Sequence, residues 1–257
     1  MMKKDYSLIY CVFDNYDIIH KPLYFDTCCE YIIVTDNKDY YIGNEFKYIY
    51  FNDRKLTGRE KLQYVRTHMF EFCKTNFAFY LDSNVQILNS LLPIYEKSKN
   101  NDISLCSYFY LLDNFKKLVS FLNDKNRLNK YDLNVITEYI DKKHIDVNKL
   151  GLVTYKFFGV KKNSKTQKFM ESIYDDLKKL DNFYFDELQL NYWLNYTNHG
   201  LKLFMYHNDI FYSEYFNLYK HRSEELLIDD YNIIYNNCPI FNYPYFYKNT
   251  QYSFEKL

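Results

Sequence analysis

Four short apolar runs near the start of this chain end in the same way. Residues 7–13 (SLIYCVF) lead into Asp14-Asn15, and residues 31–35 (YIIVT) into Asp36-Asn37. Residues 46–51 (FKYIYF) lead into Asn52-Asp53, and residues 77–81 (FAFYL) into Asp82-Ser83-Asn84. Runs this short and this continuously apolar predict strands buried on both faces, as in a parallel sheet covered by helices. In open α/β sheets, ligands sit outside the carboxyl ends of the strands. The polar exits are therefore expected to line one crevice.

The connections agree with an α/β reading. Between the third and fourth runs, Thr57-x-x-Glu60 has the form of a capping box, and Leu62, Val65, Met69, Phe72 and Cys73 follow at helical spacing. A helix is expected over about 58–74. Residues 86–99 read as helical with a break at Pro93, and residues 102–112 as a strand. Helical patterning follows near 131–143, a strand over 150–160, helices over 166–180 and 185–196, and a strand over 201–206. There is no internal repeat and no Gly/Ser/Pro linker. With 5 Gly and 4 Pro in 257 residues there is little to build a hinge from, so one domain over 1–257 is expected.

Composition narrows the function classes. Lys plus Arg and Asp plus Glu both number 33, so the chain lacks the basic excess of an electrostatic nucleic-acid binder. The 31 Tyr and 22 Phe fit either a sugar-stacking surface or the composition bias of an AT-rich genome, which raises Lys, Asn and Ile as well. The second reading is preferred. The aromatic tail at 242–254 is accordingly expected to cover the core. Six Cys form no C-x-x-C pair and fall mostly in apolar runs, as reduced core thiols do. Asp14 cuts the first apolar run too early for a secretory signal, and no segment approaches the roughly 18 apolar residues of a membrane span. A cytoplasmic chain is expected, with peripheral contact at the inner face of the membrane left open.

Asp82 and Asn84 are two apart. In extended backbone they would present a carboxylate and an amide oxygen on one side, which suits Mg²⁺ or Mn²⁺ shared with substrate phosphates. The same residues also suit an ordinary turn, and both readings stand for this stretch alone. Arg59 and Arg66, seven apart on the flank of the predicted helix, read either as snorkelling side chains or as phosphate partners.

Taken together, the basic helix with Arg59, Lys61 and Arg66, the strand FYLDSNVQI and the later FDELQLNYWLNY resemble the GT-A glycosyltransferases. Within them the chain looks most like a bacterial and plant glycosyltransferase-like family with a Y-x-D-x-N strand end and an R-D-Q-x-S-F-N-Y helix start. Glu187 stands where that pattern has Gln. The likeness spans about residues 7–222. It implies a Rossmann-like, mixed but mostly parallel sheet that binds a nucleoside diphosphate sugar at its carboxyl edge. The nucleotide-binding half would be about 1–100 and the acceptor half about 101–257. It further implies a divalent metal, Mn²⁺ or Mg²⁺, on Asp82, Asn84 and a late histidine. For that role His221, within Lys220-His221-Arg222, is preferred to His207. Donor contacts would come from Asp36, Arg59, Arg66, Asp82 and Lys220. Asp186 and Glu187 would act on the acceptor side, although both also suit simple capping of the helix they open. The implied acceptor is a glycan or a lipid-linked glycan, in synthesis of a surface polysaccharide.

The rival readings are a non-catalytic carbohydrate- or nucleotide-binding protein on the same fold, kept open by Asn84 and Glu187, and a metal-dependent nucleotidyltransferase. The second lacks any Gly-rich phosphate loop. A nucleophilic hydrolase would need a G-x-S-x-G elbow, which is absent.

Overall fold

The computed structural model describes residues 3–107, 130–146, 153–179, 187–206, 210–211, 213–222 and 251–255. The fold is mixed α/β. The chain begins with three strands, β1 (Tyr6–Val12), β2 (Cys29–Thr35) and β3 (Phe46–Tyr50). Helices α1 (Gly58–Thr67) and α2 (Met69–Phe72) then lead into β4 (Phe77–Leu81), β5 (Val85–Ile87), α3 (Leu92–Ser98) and β6 (Ile103–Ser107). Beyond these lie α4 (Lys130–Lys143), β7 (Val153–Lys161), α5 (Ser164–Leu177), α6 (Glu187–Tyr196), β8 (Lys202–Tyr206), β9 (Phe216–Leu218) and β10 (Gln251–Glu255).

One eight-stranded sheet runs β10-β8-β6-β7-β4-β1-β2-β3, and β5 and β9 form a separate antiparallel pair. Within the large sheet β7 alone is antiparallel to its neighbours β4 and β6; the other pairings are parallel. The expected mostly parallel sheet is therefore present. The period of two along β1 shows how it is covered. Tyr6, Leu8, Tyr10 and Val12 enter the core on the face that holds α3 residue Ile94. Ile9, Cys11 and Phe13 enter the opposite core with Val65, Met69 and Ile173 from α1, α2 and α5. β1, β2 and β4 are thus buried on both faces, which is why they read as continuous apolar runs, while the edge strand β3, expected to be covered in the same way, buries only Phe46 because it has a neighbour on one side alone.

Local expectations fare unevenly. The capping box at Thr57 is formed in both directions, Thr57 Oγ1 accepting from Glu60 N and Glu60 Oε2 accepting from Thr57 N. The expected helix over 58–74 is broken at His68, whose φ of −120° and ψ of 35° leave the α region. Pro93 does not kink a long helix; it stands in the first turn of the short α3, where its missing N–H has no intrahelical partner to lose. Before it, Gln86 and Ile87 belong to strand β5 and residues 88–91 are irregular, not helical. Of the strand expected over 102–112, Ile103–Ser107 is observed and the rest lies outside the described residues. In the tail, residues 251–255 add an edge strand to β8, while 242–250 lies outside the described residues.

Four of the five described thiols behave as core groups, Cys28 being half-buried. Cys11, Cys29, Cys73 and Cys106 are buried and unbridged. Burial pushes the Cys11 and Cys29 thiols up, away from reactivity. Among the described residues no helix is long and apolar enough to cross a membrane.

Candidate functional site

The strand order reverses direction between β1 and β4: β2 and β3 build out on one side of β1, and the chain then returns to place β4 on the other. This is the switch point at which doubly wound sheets bind ligands. Three segments meet at its carboxyl edge. They are the loop after β1, the Asp82-Ser83-Asn84 stretch after β4, and residues Tyr219–Arg222 after β9.

The loop after β1 is bent sharply. Asp14 and Asn15 both lie in the left-handed region, at φ 54° and 50°. Each such residue costs about 1 kcal/mol, and Asn and Asp tolerate it best because a short polar side chain can bond locally. Asp14 Oδ2 accepts from Gly58 N at 2.9 Å, at the first turn of α1. A Cβ on Gly58 would lie 2.2 Å from that oxygen, so only glycine lets the loop approach the helix. Asp36, the exit of β2, accepts from Asp14 N at 3.1 Å and pairs with Lys61 Nζ at 2.9 Å. Lys61 is buried and Asp36 half-buried. Asp36 thus helps hold the edge together, besides any contact with a nucleoside.

After β4 the backbone is a turn, not an extended segment. Val85 N donates to Asp82 O at 3.1 Å. The extended-chain argument for placing Asp82 and Asn84 on one side does not apply here; the turn chemistry of Asp, Ser and Asn prevails. Asp82 Oδ1 accepts from Arg66 Nη2 and from Tyr80 Oη, each at 2.7 Å. The Arg66 guanidinium is 4.6 Å from the centre of the Tyr80 ring and 5.2 Å from that of Tyr155. Arg66 and Asp82 were both expected to contact a donor, and they are joined to each other.

Asn84 is 1 % exposed. Its Nδ2 donates to Tyr219 O at 2.8 Å, and its own backbone oxygen accepts from Tyr219 N at 2.9 Å. These bonds continue the β5–β9 pairing. The side-chain oxygen Oδ1 is buried without a hydrogen-bond partner. An amide is needed at this position because a carboxylate has nothing to donate to the Tyr219 carbonyl. That accounts for the amide at the exit of so apolar a strand.

His221 reaches the same place from the far end of the sequence. Its Nδ1 lies 2.7 Å from Asp17 Oδ2, which also accepts from Ser83 Oγ at 2.8 Å. Lys220 and His221 are exposed. Arg59 is half-buried on α1. Asp186 and His207 lie outside the described residues, and only the backbone of Glu187 is described, at the start of α6. Asp17 is the residue that reading along the sequence missed. It sits in the undistinguished run Asp14-Asn15-Tyr16-Asp17, with no local signal of its role.

Burial by itself would raise the Asp17 pKa, but the bonds from His221, Arg222 N, Ser83 and Ile18 N outweigh it and hold the carboxyl at about 2. The folded value lies below the unfolded one, near 3.9. The resulting stabilisation, about 2 kcal/mol, is complete above roughly pH 4 and is lost as pH falls through 2. A carbon-detected titration of the Asp17 carboxyl should therefore show a midpoint near 2. A midpoint at or above the free value would remove this contribution.

The donor set can be tested against a divalent cation. Asp82 Oδ2 and Asn84 Oδ1 are hard oxygen acceptors, and an imidazole nitrogen suits Mn²⁺. Among the described residues no group of three or more His, Cys, Asp or Glu could hold a metal ion. A cation here would take amide, phosphate or water oxygens too, as Mg²⁺ and Mn²⁺ sites with few protein ligands do. The residues would suit a cation that takes most of its shell from other oxygens, and not a cage of carboxylates and imidazoles.

No protein-family model and no curated protein matches the chain. Among solved structures it is similar to the galactosyltransferase LgtC in complex with donor and acceptor sugar analogues. The identity is 13%, over 72% of this chain and 69% of that one, with a TM-score of 0.39. An active-site mutant of LgtC gives the same identity and coverage, with a TM-score of 0.40.

Proposed function

We propose that this protein is a glycosyltransferase that moves a sugar from a nucleoside diphosphate sugar to a hydroxyl of a glycan or lipid-linked glycan, in surface polysaccharide synthesis. One observation carries the reading. Residues 82–84 and 219–222, more than 130 positions apart, meet at the switch point of a mostly parallel sheet. That is where a nucleotide is held in such sheets, and the motifs met there are those that resemble the GT-A enzymes.

In this reading Asp82, Asn84 and His221 hold Mn²⁺ or Mg²⁺. When bound, the cation stabilises the negative charge that grows on the leaving diphosphate. Lys220 and Arg59 bind the diphosphate oxygens by charge-assisted hydrogen bonds. Arg66 orients Asp82 through the bond to Oδ1, which leaves Oδ2 for the ligand. Asp36 lies at the nucleoside end. Asp186 and Glu187 act on the acceptor side, where a carboxylate takes the proton of the attacking hydroxyl. The Asp82–Arg66 pair also favours a second reading, a binding protein without turnover, because Arg66 already compensates the charge that Asp82 would offer a cation.

Calorimetric titration with UDP, GDP and CDP, with and without Mn²⁺, tests the proposal. Asp82→Asn is the comparison, since it keeps the size of the side chain. One nucleotide should bind in the presence of Mn²⁺, and Asp82→Asn should weaken it by about tenfold or more, some 1.4 kcal/mol. Slow hydrolysis of the matching sugar nucleotide by the wild type separates the enzyme from the binding protein. Failure of all three nucleotides to bind, with and without metal, would exclude a donor site here.

A further inference from the structure

Asp17 receives four hydrogen bonds. Oδ1 accepts from Ile18 N and Arg222 N, both at 2.9 Å, and Oδ2 accepts from Ser83 Oγ at 2.8 Å and His221 Nδ1 at 2.7 Å. Its side chain is 4% exposed, against 47% for His221. The four donors come from its own loop, from the middle of the Asp82-Ser83-Asn84 turn and from the segment after β9. That segment is fixed at further points. Tyr219 stacks on His20 with ring centres 3.7 Å apart and planes 7° apart, and Tyr219 Oη donates to Gln86 Oε1 at 2.8 Å. Arg222 adopts φ 58°, a conformation rare for arginine, with its N–H on Asp17.

A carboxylate can only accept, so Nδ1 of His221 must carry the proton in this contact. The neutral imidazole then has its lone pair on Nε2. From this arrangement we infer that Asp17 is a positioning residue: it fixes His221 as the Nδ1–H tautomer and clasps residues 219–222 against the Asp82–Asn84 turn, so that Nε2 serves as a ligand for a divalent cation. The inference rests on the proposed donor site and adds to it the residue that makes a half-exposed histidine a competent ligand. Histidines that bind metals are commonly oriented in this way by a carboxylate on the other ring nitrogen, and loss of that carboxylate weakens the metal by about 10- to 100-fold.

The test uses the full chain, labelled with ¹⁵N-histidine, at a pH where imidazoles are neutral. Long-range ¹H–¹⁵N spectra of the metal-free protein report the tautomer, and His221→Gln identifies the signal. The wild type should show Nδ1–H, and Asp17→Asn a mixture of tautomers. Mn²⁺ is then titrated in the presence of the nucleotide that binds, with free Mn²⁺ followed by electron paramagnetic resonance. Asp17→Asn should weaken Mn²⁺ by about 10- to 100-fold, and His221→Gln by at least as much. An Nε2–H tautomer in the wild type overturns the inference even if Asp17→Asn does not fold. Unchanged Mn²⁺ affinity in either variant overturns it as well. If the wild type has the Nδ1–H tautomer but binds no Mn²⁺ with any nucleotide, it is the donor-site reading that fails.

Discussion

Asn84→Asp is expected to destabilise the protein by about 3 kcal/mol, although the two side chains have nearly the same shape. The wild-type amide is 1 % exposed and donates to Tyr219 O at 2.8 Å. The introduced carboxylate cannot make that bond and would face the carbonyl oxygen instead. It must either stay charged and buried or take up a proton. Both states are costly, the first through lost hydration and the second through a raised pKa. The pH dependence identifies the cause. A folded-state pKa raised above the unfolded value gives a penalty that grows as pH rises through the unfolded pKa and is small below about pH 4. Urea midpoints of the variant and the wild type, compared at each pH between 7 and 4, should differ most at pH 7. Equal midpoints at pH 7 would mean that the Tyr219 contact does not hold the turn. The substitution would bring the turn nearer to a two-carboxylate metal motif, yet the fold resists it.

Arg66→Ala is expected to cost about 3–5 kcal/mol, the range for removing one member of a buried ion pair. Arg66 is 6% exposed, and its Nη2 lies 2.7 Å from Asp82 Oδ1. Truncation leaves Asp82 without its counter-ion and opens a gap beside Tyr80 and Tyr155. Arg66→Lys keeps the charge but loses the planar stacking over the two rings, so its cost should be smaller, about 1–2 kcal/mol. The double variant Arg66→Ala with Asp82→Ala removes both charges, and it should be less destabilised than the sum of the two single changes. Chemical denaturation of the four proteins gives the coupling. Additive losses would show that the two groups, though adjacent, contribute independently. The result bears on function too, because a strong coupling means that any cation at Asp82 shares the carboxylate with Arg66.

Strand and helix periodicity carried much of the architecture. The apolar runs at 7–13, 31–35 and 77–81 became β1, β2 and β4 because burial on both faces leaves no polar alternation to obscure them, whereas the run at 46–51 became the edge strand β3, of which only Phe46 is buried. The Thr57–Glu60 box was legible because its two end residues, three positions apart, bond to each other. Where competing local rules met, the reading slipped. Pro93, expected as a break inside a helix, starts one, and two of the three residues of β5, Gln86 and Ile87, fall within the expected helix. A three-residue strand has too few positions for a period to appear.

The residue types at the carboxyl edge were determined by the sequence alone: acids and amides following apolar strands, with a basic helix nearby. Which of them touch was decided only by the tertiary structure. Arg66 and Asp82 were both expected to face a ligand, and they face each other. Asn84 was read as a ligand and is first of all a strut beneath Tyr219. Asp17 drew no attention, and it joins Ser83 and His221, residues 66 and 204 positions away from it. Periodicity and capping report interactions within a few residues, where chain geometry leaves few choices. Contacts across such separations depend on the order in which strands assemble and on the bend at Asp14 and Asn15, and nothing in the spacing of residues along a chain encodes either.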